Sequence, residues 1–83
     1  MSMIARNEKQ IGAVLRRCRK QAGLSQADLA TKMQARQGTV SRLESGTPAM
    51  QIRTLVEALT ALNLELVIQP RSAAPDTAVE DLF

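Results

Sequence analysis

The sequence has no histidine, tryptophan or tyrosine, a single phenylalanine and a single cysteine. Each absence closes a class of function. Without histidine, neither a Ser-His-Asp nor a Cys-His nucleophile can be assembled. One cysteine and no histidine leave no set of zinc ligands, and a lone cysteine cannot form an internal disulfide. No apolar run approaches the roughly 18 residues of a membrane span. Residues 1–7 lack the continuous hydrophobic stretch that a secretory signal needs. The carboxylates Asp28, Glu44, Asp76, Glu80 and Asp81 show no paired arrangement for acid–base work. An enzyme is therefore not expected, and neither a cofactor nor a metal. The expectation is a soluble, cytoplasmic protein.

What is present is a short, basic chain. Its 83 residues leave room for one small domain. A chain of this size buries about 60% of its unfolded surface, so it gains from a partner subunit. Lysine and arginine number 11 against 8 acidic residues, for a net charge of +3. The charge is segregated. Residues 1–46 carry nine basic residues and three acidic ones, whereas residues 72–83 carry only Asp76, Glu80 and Asp81. A basic first half points to a polyanion, most simply nucleic acid, with a solvated helix surface as the plain alternative.

Periodicity divides the chain into four predicted helices. Over residues 8–22, Ile11, Val14, Leu15, Cys18 and Ala22 recur at spacings of three and four. Asn7 can cap that helix and Gly23 can end it. Cys18 lies on the apolar stripe and reads as a small core residue rather than a nucleophile. Ser25 and Asp28 resemble a capping box opening a second helix over 26–33, with Leu29, Ala30 and Met33 inward. A third helix runs from Arg36 or Gln37 to Ser45, with Val40 and Leu43 inward, Gly46 as its stop and Pro48 beyond. A fourth, over 52–62, carries Ile52, Leu55, Val56, Leu59 and Leu62. Residues 64–69 alternate instead, which predicts one β-strand with Leu64, Leu66 and Ile68 on one face, stopped by Pro70. The predicted organisation is a flexible segment over 1–7, a domain over 8–70 and a disordered acidic tail over 71–83.

The window QADLATKMQARQGTVSRLES, residues 26–45, places two short helices across a turn of about three residues. Ala30 is small where the helices must approach. Leu29, Met33, Ala35, Val40 and Leu43 fill the positions that lock one helix across the other. In this spacing the chain resembles the XRE-type (Cro/repressor) helix-turn-helix family, over about residues 11–62. The resemblance implies an all-α fold: a compact four-helix bundle over about residues 8–62, followed by the single strand. It also implies a bridge between Arg19 and Glu44. One position departs from the family, which usually has glycine where this chain has Gln34; a left-handed residue with a side chain costs roughly 1 kcal/mol there.

On duplex DNA the third helix would enter the major groove, which displays a distinct edge for each base pair. Its face offers Arg36, Gln37, Gly38, Ser41 and Arg42 for base readout, with Gln37 and Arg42 as the main readers. Gly38 reads either as a point of close approach to DNA or as simple tolerance near a helix start. Ser25, Gln26 and Thr39 are the expected phosphate contacts, Gln26 because it opens a helix and the family resemblance puts a phosphate there. Ser25 can also serve only as a cap.

A lone strand has no ladder partner within its own chain, so pairing with a second copy is expected. Leu64, Leu66, Val67 and Ile68 form the expected dimer interface, with local packing of the same segment as the alternative. The strand and loose tail are similar to the HipB-type antitoxins. That resemblance implies a homodimeric bacterial repressor of its own operon. Its partners would be near-palindromic operator DNA on the nucleoid and a HipA-type serine/threonine kinase toxin. Leu82 and Phe83, an apolar end on an acidic leash, are candidates for toxin contact; a frayed terminus is the other reading. Two further readings stand beside the antitoxin: a stand-alone repressor or restriction-modification controller, and a module that grips protein alone.

Overall fold

A computed structural model describes residues 3–71. The acidic tail expected over 71–83 therefore lies outside the described residues except for Arg71, and so do Leu82 and Phe83. Four helices follow in order: α1 Glu8–Gln21, α2 Gln26–Met33, α3 Gln37–Ser45 and α4 Ile52–Ala61. Each predicted boundary lies within about a residue of these. No described helix is long and apolar enough to cross a membrane.

Local chemistry explains the starts. The Asn7 side chain accepts from the Gln10 amide at 2.8 Å, satisfying one of the orphan donors of α1. At α2 the capping box closes in both directions. The Asp28 amide donates to Ser25 Oγ at 3.0 Å, and the Ser25 amide donates to Asp28 Oδ2 at 2.9 Å. Hydrogen bonding to the carboxyl itself, from the Ser25 amide first and from the Ser25 hydroxyl second, holds Asp28 below its usual range.

The ends are more uniform than the sequence suggests. All four helices close by the same device, a left-handed residue followed by an amide that reaches back to a carbonyl five residues earlier. The reaching amides are those of Leu24, Ala35, Thr47 and Leu64, bonded to the carbonyls of Arg19, Ala30, Arg42 and Leu59. The left-handed residues are Gly23, Gln34, Gly46 and Asn63. Gln34 adopts φ 57° where the family usually has glycine. The half-buried Ala35, packed against the core with its amide bonded to the Ala30 carbonyl at 2.8 Å, holds that conformation.

The core contains Leu15, Leu29, Ala30, Met33, Val40, Leu43, Leu55 and Ala58. Helix α3 packs on α1 and on α2, and α2 packs on α4. Glycines set how closely α1 meets α3. A Cβ on Gly12 would sit 2.5 Å from the Glu44 carbonyl oxygen and 2.6 Å from that of Leu43. A Cβ on Gly46 would overlap the Lys9 backbone, and its φ of 75° adds strain.

Several expectations are corrected. The predicted strand is not formed. Residues 64–71 have no regular secondary structure, and the regular secondary structure among the described residues is helical throughout. A strand is defined by its ladder, and one chain supplies no second strand here. Ala22 is exposed, because it lies beyond the last turn of α1, at its C-cap. Ile52 and Val56 are exposed too, at 76% and 45%; Leu55 and Ala58 are the buried residues of α4, and Leu59 and Ala61 pack against the core in part.

The exposed apolar residues Leu66, Val67 and Ile68 follow α4. They border an open groove of about 770 Å³. Met3 and Ile4 form another part of its lining, and Ile11, Val14, Cys18, Leu55 and Leu59 contribute from α1 and α4. Burial pushes the Cys18 thiol up, with Arg17 opposing, so at neutral pH it is a protonated, half-buried lining residue.

Candidate nucleic-acid interface

Helix α3 is amphipathic in a way its composition does not advertise. Val40 and Leu43 are buried at 0% and 3% exposure and fix the helix to the bundle. Arg36, Gln37, Gly38, Ser41 and Arg42 are all exposed, and Thr39 is half-buried. The sequence-predicted readers therefore share one exposed face. Arg36 is the N-cap residue and makes no side-chain capping bond, so its guanidinium is not committed to the helix start.

Gly38 is under no internal constraint. A Cβ there would meet nothing within 4 Å, and its φ is not positive. No packing or backbone demand inside the molecule calls for glycine. Alanine would fit and would favour the helix by up to about 1 kcal/mol.

Acidic charge is removed from this face by pairing. Glu44, the only acid of α3, has its side chain 5% exposed. Arg19 Nε donates to Glu44 Oε2 at 2.6 Å and Nη2 donates to Oε1 at 3.1 Å. The third arm, Nη1, donates to the Leu24 carbonyl at 2.8 Å. One guanidinium thus ties together the end of α1, the loop into α2 and the end of α3. The hydrogen bonds to Glu44 raise the Arg19 pKa further, against the opposing effect of burial. Such a two-pronged pair is geometrically selective for arginine.

Ser25 and Gln26 lie at the start of α2, Ser25 exposed and Gln26 half-buried. Ser25 is engaged in the capping box. Gln26 Nε2 donates to Glu44 Oε1 at 3.2 Å, a contact that sequence spacing does not disclose because 18 residues separate the two. Sequence reasoning also passed over Thr47, Gln51 and Thr54. With Thr39 and Arg42 they line a second recess of about 300 Å³. Two of them come from the α3–α4 connection and one from the first turn of α4, where no spacing rule links them to α3.

Chemically, the exposed face of α3 offers two guanidinium groups, a carboxamide and a hydroxyl, with an open approach at Gly38. These are donors for base edges and phosphates rather than a catalytic set.

Comparison with known proteins places this geometry. No curated protein matches the chain. Among solved structures, one described as "Structure of HipA-HipB-O2-O3 complex" superposes with a TM-score of 0.79 at 22% identity, covering 86% of this chain and 100% of that one. A "HipB-O4 20mer complex" gives 0.79 at 22% identity over the same shares. A "HipB-O1-O2 complex" gives 0.76 at 24% identity over 84% and 100%. At these identities the likeness is one of fold. The family model described as "Helix-turn-helix domain" matches residues 10–67, from α1 through the segment after α4. The chain belongs to that helix-turn-helix family.

Proposed function

We propose that this chain is a sequence-specific DNA-binding repressor that acts as a homodimer and as the antitoxin of a HipA-type kinase. The observation that carries the reading is the exposed face of α3. Val40 and Leu43 lock the helix while Arg36, Gln37, Gly38, Ser41 and Arg42 stay in solvent. Gln37 would bond an adenine edge and Arg42 a guanine edge, each in two-pronged geometry. Ser25, Gln26 and Thr39 would contact phosphates. The cluster of basic residues in the first half supports the same partner.

The dimer rests on the segment that the monomer leaves uncovered. Leu66, Val67 and Ile68 are 62%, 64% and 93% exposed, and Leu64 is half-buried beside them. Pairing of residues 64–69 with the same residues of a second copy would supply the missing ladder and cover the groove. Two recognition helices would then stand about one DNA turn apart, ~34 Å, on a near-palindromic site. The antitoxin role is supported by likeness to HipB structures, one of them described as a complex with HipA.

The test is a fluorescence titration against duplexes selected from a random pool, over a series of salt concentrations. Capture should fall steeply with salt, with a log–log slope near −6 for about seven phosphate contacts. Arg42→Ala should lose discrimination at one base pair, by roughly 1–3 kcal/mol, while Gln26→Ala should weaken all sequences alike. Equal losses on every sequence for both variants would overturn the assignment. Co-purification with the product of the adjacent reading frame distinguishes antitoxin from stand-alone repressor.

A further inference from the structure

Resting on the duplex-binding reading, we infer that Glu44 and Arg19 are positioning residues for the phosphate contact at Gln26. A carboxamide has two ends of opposite character, an oxygen that only accepts and a nitrogen that only donates. A phosphate only accepts, so an unrestrained Gln26 would meet it with the wrong end much of the time. Glu44 removes that ambiguity. A carboxylate cannot donate, so the group of Gln26 facing Glu44 Oε1 at 3.2 Å must be its nitrogen. One N–H of that nitrogen is spent on Glu44. The second remains, held in the same plane, at the start of α2, where the first amides have no intrahelical partner and the helix dipole favours an anion.

The arrangement has a cost that Arg19 removes. A phosphate sharing the Gln26 nitrogen with a bare carboxylate would be repelled by it. Arg19 meets Glu44 with two donors, at 2.6 and 3.1 Å, and neutralises it where little water intervenes. Its third arm holds the Leu24 carbonyl at 2.8 Å, fixing the loop from which α2 starts. Neither residue would touch the DNA. Glu44 acts by orienting Gln26, and Arg19 by making Glu44 tolerable beside an anion.

The experiment is a double-mutant cycle on duplex affinity with Gln26→Ala, Glu44→Gln and the pair, at a temperature where circular dichroism shows each variant folded. Gln26→Ala should weaken every duplex about tenfold, as expected for a hydrogen bond to a charged group. Glu44→Gln alone should give a similar loss, and the pair no more than either. Losses that multiply in the pair, or no loss for Glu44→Gln, would overturn the inference.

Should Glu44→Gln fail to fold, the wild-type chain supplies the readout through the two Nε2 protons of Gln26 in nuclear magnetic resonance. One should be shifted downfield in the free protein by its bond to Glu44. Its twin should move downfield when duplex is added. An immobile twin in a chain that binds duplex overturns the positioning role and leaves the DNA reading standing. A chain that binds no duplex overturns both.

Discussion

The two sides of this small molecule are finished to different degrees. Where α1 meets α3, contact is close enough that Gly12 and Gly46 have no room for a Cβ. A buried two-pronged ion pair joins the helix ends there, and Val40 is fully enclosed. Where α1 and α4 meet residues 64–71, an apolar groove stands open and Leu66, Val67 and Ile68 project into solvent. The first side is complete within one chain. The second leaves aliphatic side chains in solvent, and on the dimer reading proposed above it is the surface that a second copy would cover. The side that would hold α3 against DNA is closely packed, and the side that would set the spacing of two such helices in the proposed dimer is open.

That contrast can be broken first at the ion pair. Arg19→Ala should destabilise the monomer by about 3–5 kcal/mol, since it strands the buried Glu44 carboxylate. Thermal melts check this, and an unchanged midpoint would show that the pair contributes nothing. On the open side, Ile68→Asp should scarcely affect the fold of one chain but should weaken self-association by about 2 kcal/mol or more. Sedimentation should then find a 9.0 kDa species at concentrations where the wild type is twice that mass. A wild type that is monomeric at micromolar concentration would remove the dimer.

Gly38→Ala sharpens the comparison from the finished side. Stability should rise by about 0.5–1 kcal/mol, while duplex affinity falls because the added methyl projects where DNA would approach. A gain in stability with no loss of affinity would make Gly38 mere tolerance. The smallest effect concerns pH. The Asp28 carboxyl is held below its usual 3.8, so its capping contribution is present above the unfolded value and lost as pH falls through the lower folded one. Asp28→Asn should flatten that part of the acid stability curve, while the remainder is unchanged.

Much of the α2–turn–α3 unit was legible because its signals are local. Ser25 with Asp28, the spacing of Leu29, Ala30 and Met33, and Val40 with Leu43 each specify helix and face within a few residues. The exposed residues proposed as readers on α3 follow from the same periodicity, since fixing the buried pair fixes the opposite side. The misassigned residues had the right pattern but lacked a neighbour. Ile52 and Val56 match the apolar stripe of α4, yet the face of that helix that is buried holds Leu55 and Ala58, with Leu59 and Ala61 partly covered, and leaves Ile52 and Val56 in solvent. Residues 64–69 alternate as a strand should, and hydrogen-bonding partners for a strand are not encoded by alternation.

The sequence by itself determined where helices begin and end, which faces are apolar and that basic charge gathers in the first half, because these depend on neighbours within one or two turns. Tertiary structure alone decided that Gly12 must be glycine, that Gln26 binds Glu44, and that Thr47, Gln51 and Thr54 gather beside Arg42. Those facts join residues far apart in the chain. Such meetings are set by how whole helices pack, and no local rule of spacing carries that information.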